Sequence, residues 1–258
     1  MTLLSLDDVR VTYKLPGRGT LNAVDGVSFD LEPRQVLGLV GESGCGKSTL
    51  ARAVCGLEPT SAGSISFNGQ RIGKLGLRKR DPALMRIQMV FQNPFASLNP
   101  RRTIGSQIED GLRVNPDRDA WNVAQLLEHV ELDASSRDRY PHQFSGGQRQ
   151  RIAIARAIAA GPELLIGDEP IASLDASLQA RVAKLMRKLA VETGAALLFI
   201  SHDLSVVRVI ADDVAVMSAG KIVERGPVDR VWTNPQDAYT QRLLAAIPVV
   251  DGLGRLPG

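Results

Sequence analysis

The hydrophobic pattern divides the chain into a strand-rich first third, a helical middle and a mixed final part. Leu3 to Tyr13, Val24 to Leu31 and Val36 to Val40 read as strands, with Gly and Pro punctuating between them. The last of these, preceded by Gln35, is nearly all apolar, as a strand covered on both faces must be, and it runs straight into a glycine-rich stretch opening at Gly41. Arg86 to Phe91 reads as one more short strand. From Asn93 to Pro162 the periodicity is helical, with Pro94, Pro100, Pro116 and Pro141 separating the segments. Strands return at Leu164 to Gly167 and Ala196 to Ile200. Between them Leu178, Val182, Leu185 and Leu189 follow at spacings of four, three and four along one helix face. Val214 to Met217 and Ile222 to Glu224 flank Ala219-Gly220 as a hairpin, Gly226-Pro227 ends this part, and the tail from Val231 is mostly helical.

Composition narrows the class. A chain of 258 residues, 44% of them hydrophobic, buries roughly 70 to 75% of the surface its unfolded form exposes and needs no staple. No apolar run approaches the roughly 18 residues that span a bilayer, and Asp7 and Asp8 interrupt the N-terminus before a signal-peptide core forms, so the chain is expected to stay in the cytosol. Cys45 and Cys55 lack C-x-x-C spacing, which argues against a disulfide framework or a zinc site. The formal charge of +3 is mild: Arg78-Lys79-Arg80 reads as a solvated turn, with attraction to anionic lipid or nucleic acid as the sharper alternative, and charge alone does not decide between them; no nucleic-acid partner is expected.

The chemistry starts at Gly41-Glu42-Ser43-Gly44-Cys45-Gly46-Lys47-Ser48, a full match to G-x-x-x-x-G-K-[ST] between an expected strand and an expected helix, with Thr49 next in line. Triphosphate oxygens need many donors at short range. Glycines let backbone N–H groups converge there, and the following helix adds its positive end. Lys47 would reach the β- and γ-phosphates of ATP and Ser48 would hold Mg²⁺. Cys45 lies inside this loop as a small filler offering its backbone N–H. At Leu164-Leu165-Ile166-Gly167-Asp168-Glu169 two carboxylates close a buried strand, a costly place for charge unless a cation or a reaction uses it. Asp168 would sit behind Mg²⁺, and Glu169 would orient or deprotonate the attacking water.

Phe144-Ser145-Gly146-Gly147-Gln148, some twenty residues before Asp168, resembles the signature motif of ATP-binding-cassette proteins, and the likeness extends from about Leu3 to Pro248. Ser145 is a good helix N-cap, and Gly146 and Gly147 would let that helix end approach an anion. The resemblance implies an α/β P-loop NTPase core with an N-terminal antiparallel β subdomain and an inserted helical subdomain. Residues 1–248 would be one nucleotide-binding domain, with a core lobe at 1–92 and 163–230 and a helical lobe at 93–162, and 231–258 a C-terminal tail. It also implies that Ser145, Gly146, Gly147 and Gln148 contact the γ-phosphate bound by a second ATP-binding subunit. Further roles follow residue by residue: Tyr13 stacks on adenine, Gln92 senses Mg²⁺ and water, His202 bonds the γ-phosphate, and Asp175 in Ser173-Leu174-Asp175 crosses to the opposing subunit.

Val40 to Leu50, Met89 to Pro100 and Tyr140 to Arg156 are similar to the ATPases of dipeptide, oligopeptide and nickel importers. Asn234-Pro235, Tyr239-Thr240 and Leu243-Leu244 with Pro248 resemble that group's C-terminal motif, though Asp237-Ala238 departs from its usual His-Pro and Arg34-Gln35 from its usual Gly-Glu. The resemblance implies a peripheral subunit on the cytoplasmic face of the plasma membrane that hydrolyses ATP with Mg²⁺ to drive peptide uptake. Its partners would be two permease subunits, a second ATP-binding chain, either different or identical, and an extracytoplasmic substrate-binding protein. A nickel or metal-chelate importer and a soluble iron-sulfur assembly ATPase are the alternatives. Gln92 with Asn93 to Pro100 is expected to contact a membrane subunit, with Phe95 and Leu98 as its exposed apolar contacts.

Overall fold

The computed structural model describes residues 2–17, 19–75, 81–93, 97–114 and 121–247. The basic run 78–80, Pro94, Phe95, Pro116 and Pro248 lie outside these residues. The chain opens with β1 (Leu4–Leu15), β2 (Gly19–Leu31) and β3 (Val36–Val40), then α1 (Lys47–Val54), β4 (Ala62–Phe67), β5 (Gln70–Arg71) and β6 (Ile87–Phe91). Next come α2 (Ile104–Leu112), α3 (Val123–His129) and α4 (Gly146–Ala159). The rest is β7 (Leu164–Asp168), α5 (Ala176–Thr193), β8 (Ala196–Ile200), α6 (Leu204–Ile210), β9 (Asp213–Ser218), β10 (Lys221–Pro227), α7 (Val228–Thr233) and α8 (Ala238–Ala245).

Two sheets organise these elements. A four-stranded antiparallel sheet runs β2-β1-β4-β5, and a six-stranded sheet runs β10-β9-β3-β8-β7-β6, parallel except for the edge strand β10. The period-2 alternation of strand side chains explains why the inner strands are apolar throughout. Leu37, Leu39, Leu164, Ile166, Leu198 and Ile200 pack on the face toward β1, β2 and α1, while Val36, Val40, Leu165, Leu197 and Phe199 pack on the face toward the later helices. Every residue of β3, β7 and β8 is buried. On the second face Gly38 leaves room for α6, since a β-carbon there would fall 2.3 Å from Val207 Cγ1.

Between β6 and β7 the described residues form helices and turns and no strand. Alanine-rich α4 crosses this region with Ile152, Ile154 and Ile158 buried. Leu98 belongs to the same core. At 4% exposure it packs in the cluster that holds Ile104, Ile108 and Ile158, so the expectation of an exposed apolar contact at this position is wrong. A leucine on a chain turning back over two amphipathic helices loses its water to them. On α5, Val182, Leu185 and Leu189 are buried as the four-three-four spacing requires, and Gly194, with φ 76°, ends the helix in the left-handed conformation. The β9–β10 hairpin turns at Ala219-Gly220, both with positive φ, as a tight two-residue connection demands.

The tail is anchored to the sheet. Glu224, buried on β10, accepts from the backbone N–H groups of Gln236 at 3.0 Å and Asp237 at 3.1 Å. Burial acts upward on this carboxyl, but the two amides, together with the nearby Arg230 cation and other hydrogen bonding, hold it below its ordinary range. Asp237 in turn caps α8, accepting from the N–H groups of Tyr239 and Thr240.

Candidate functional site

Because β3 lies between β8 and β9, its C-terminal end faces the middle of one sheet edge, and the loop from Gly41 to Gly46 rises there into α1. Two glycines make this path possible. A β-carbon at Gly41 would meet the Met217 carbonyl oxygen at 2.1 Å, and one at Gly46 would meet that of Ala23 at 2.0 Å, with φ of 151° and 112° respectively. Gly46 is also the N-cap of α1 and offers no capping side chain, so the first N–H groups of the helix stay available to an anion.

Lys47 is 3% exposed, and its ammonium donates to the carbonyls of Gly41 at 2.7 Å and Glu42 at 2.9 Å. Ser48 Oγ donates to Asp168 Oδ1 at 2.6 Å. Asp168 ends β7 and is buried, which pushes its carboxyl above its ordinary value, while the Ser48 hydroxyl pulls the other way. A hydroxyl and a buried carboxylate this close supply the hard oxygen donors a magnesium ion takes, so the residues fit it. Burial also raises the Cys45 thiol above its usual value, against the pull of Lys47.

Glu169 has φ 47°, a left-handed conformation costing about 1–2 kcal/mol for a residue of this kind. Its N–H bonds to the Ile200 carbonyl, which holds the turn. One carboxylate oxygen thereby lies 3.8 Å from Lys47 Nζ and the other 3.1 Å from His202 Nδ1. The left-handed backbone at Glu169 is thus held by the flanking strands while its carboxylate meets two other polar side chains.

Tyr13, Ser43, Gly44, Gly46, Lys47, Ser48, Thr49, Gln92 and Glu169 line one cleft of about 420 Å³. Leu21 and Ala23 also line it and were missed in the sequence. Leu21 is the cross-strand partner of Tyr13 in the β1–β2 register, a pairing that loop length alone did not reveal. The signature residues and Asp175 are not part of this lining. Ser145 caps α4 in a reciprocal box with Gln148. Gly146 faces open space, whereas a methyl at Gly147 would come 2.3 Å from Leu178 Cδ2 and 3.8 Å from Leu174 Cδ2. Gly147 therefore serves the packing of α4 against the start of α5, and it brings the signature beside the Ser173-Leu174-Asp175 turn. Asp175 is the N-cap residue of α5, and its side chain makes no capping bond.

A phosphate loop at the end of a central parallel strand, a part-buried Ser-Asp pair and a second carboxylate directly after that Asp define a P-loop nucleotide triphosphatase. The ABC transporter family model matches residues 24–172, more than half of the chain, and the chain belongs to that family. It binds and hydrolyses ATP. Among the relatives, the oligopeptide transport ATP-binding protein OppF of Bacillus subtilis (strain 168) is 46% identical over 255 residues, covering 96% of this chain and 83% of its own. The glutathione import ATP-binding protein GsiA of Salmonella paratyphi A is 50% identical over 235 residues, 90% of this chain but 38% of that longer protein. Among solved structures, a dimeric post-hydrolysis state of the ATP-binding cassette MJ0796 bound to ADP and Pi matches with a TM-score of 0.74 and 26% identity, over 88% of this chain and 99% of that one. CbiO1 from Clostridium perfringens, part of an ABC transporter complex, matches at 0.75 and 25%, over 90% and 91%.

Proposed function

We propose that this chain is the ATP-hydrolysing subunit of a peptide-class importer, working on the cytoplasmic face of the plasma membrane with two permease subunits, a second ATP-binding chain and an extracytoplasmic substrate-binding protein. The observation carrying this reading is the 46% identity to an oligopeptide transport subunit along 96% of the chain, which takes in the tail as well as the cassette. The likeness to a glutathione import protein keeps the cargo within short peptides, glutathione being a tripeptide. Among the described residues no helix is long and apolar enough to cross a membrane, so attachment would run through the permease.

In this reading Tyr13 stacks on adenine, a contact worth roughly 1–3 kcal/mol, with Leu21 beside it. The loop amides and Lys47 bind the β- and γ-phosphates. Ser48, Gln92 and Asp168 would hold Mg²⁺, which supplies neutralisation of the charge on the phosphate oxygens. Glu169 orients the attacking water and takes up its proton, and His202 bonds the γ-phosphate. Ser145, Gly146, Gly147, Gln148 and Asp175 serve the nucleotide of the opposing subunit. Gln92 lines the chain's own cleft and leads into the segment through Pro100 that would meet the permease.

The test is reconstitution with the permease and partner cassette in proteoliposomes. ATP-dependent uptake of an oligopeptide, abolished by Glu169→Gln, is the expected result. A chain that fails to associate with the permease and hydrolyses ATP equally well without membranes would contradict the proposal and favour a soluble cassette ATPase.

A further inference from the structure

Tyr239, on the tail helix α8, reaches the phosphate loop across 197 residues of sequence. Its hydroxyl accepts from the backbone N–H of Glu42 at 3.1 Å. Glu42 is the second residue of the loop. Its carbonyl and that of Gly41 are the two acceptors that hold the Lys47 ammonium, at 2.9 and 2.7 Å. One short stretch of backbone is thus gripped by Tyr239 at its amide and grips Lys47 through its carbonyls. Gly41 is pressed against the Met217 carbonyl on β9, so the stretch has little room to drift on that side.

Tyr239 is itself firmly placed. Its ring packs against the larger apolar cluster, the Asp237 carboxylate accepts from its N–H at 2.8 Å, and Glu224 on β10 holds the backbone of Gln236 and Asp237 just ahead of it. The other end of α8 borders the loop that carries His202, where Leu243, Ala246 and Ile247 line a groove with residues His202 to Ser205. The helix therefore spans the elements on either side of the site.

We infer that Tyr239 is a positioning residue of the ATP site: its hydroxyl fixes the Gly41–Glu42 backbone that orients Lys47, so the C-terminal helix helps set nucleotide affinity. The inference rests on the reading of Lys47 as the phosphate-facing cation. Losing one neutral hydrogen bond from a preorganised loop weakens binding by about 2- to 10-fold. Once the nucleotide's phosphates hold the loop, the hydroxyl adds little, so turnover at saturation changes little.

Tyr239→Phe keeps the ring and removes only the hydroxyl. Equilibrium titration of the full chain with MgATP should give a Kd raised about 2- to 10-fold. The assembled transporter should show KM raised in parallel with kcat within about two-fold, the mark of lost uniform binding. The melting temperature of the nucleotide-free chain should stay within about 2 °C of the unaltered chain. An unchanged Kd for Tyr239→Phe overturns the inference, as does a change in kcat at constant KM or a Kd shift accounted for by unfolded protein in circular dichroism at the titration temperature. Lys47→Ala, titrated in parallel, separates the two readings. Its loss of affinity supports the phosphate-facing role whatever Tyr239→Phe does, and unaltered affinity there sinks that role and this inference together.

Discussion

The Glu169 carboxylate stands between a buried ammonium and an exposed imidazole, on a backbone that only the flanking strands keep in place. Replacing it with the isosteric amide retains the shape and removes the base. Glu169→Gln should therefore keep ATP affinity and lose turnover by at least about 10²-fold, whereas Lys47→Ala should lose affinity itself, because it deletes the charge proposed to face the phosphates. Equilibrium binding and steady-state hydrolysis on both variants separate the two roles, and near-normal turnover by Glu169→Gln would end its assignment as the base. Cys45 allows a second check. Burial raises its thiol, so the thiolate fraction at neutral pH is below that of an ordinary cysteine and grows only as pH climbs past the usual thiol range. Alkylation of Cys45 near pH 7 should be slower than that of a free thiol, and a rate equal to or above it would mean that Lys47 outweighs burial. The loop and the two carboxylates were legible in the sequence because spacing and strand context define them. Tyr239 was legible only as part of a tail motif, because its contact with Glu42 depends on how Glu224 and Asp237 fix the start of α8.

At the scale of elements, the sequence revealed most where burial is strongest. The unbroken apolar runs of β3, β7 and β8 and the four-three-four stripe of α5 correspond to elements covered on both faces or along one stripe. β4 and β5 escaped notice. β4 opens with Ala-Gly and buries only alternate positions near its end, while β5 is a two-residue edge strand paired with it. α6 escaped notice too, since its seven residues follow directly on the His202 turn and carry too few periods to declare a helix. Leu98 shows the opposite error, an apolar residue near two prolines taken for a surface contact when the surrounding helices bury it. Leu98→Ala should accordingly destabilise the isolated chain by about 2–5 kcal/mol, the cost of emptying a buried leucine site, read from the denaturant midpoint. An unchanged midpoint accompanied by lost association with the permease would return Leu98 to the surface role.

For the whole molecule the decisive feature is division of the site. The cleft that gathers Tyr13, the phosphate loop, Gln92 and Glu169 is not lined by the signature, which sits beside the Asp175 turn at the junction of α4 and α5. In the proposed reading the chain completes its site by facing a second cassette, and the related MJ0796 cassette is dimeric in its post-hydrolysis state. ATP hydrolysis should then depend on association. The direct measurement is specific ATPase activity as a function of chain concentration, alone and with the partner cassette and permease, alongside sedimentation to record the oligomeric state. The account predicts low activity per chain under monomeric conditions, rising with concentration or on addition of the partners. Full turnover, unchanged at dilutions where the chain sediments as a monomer, would contradict it.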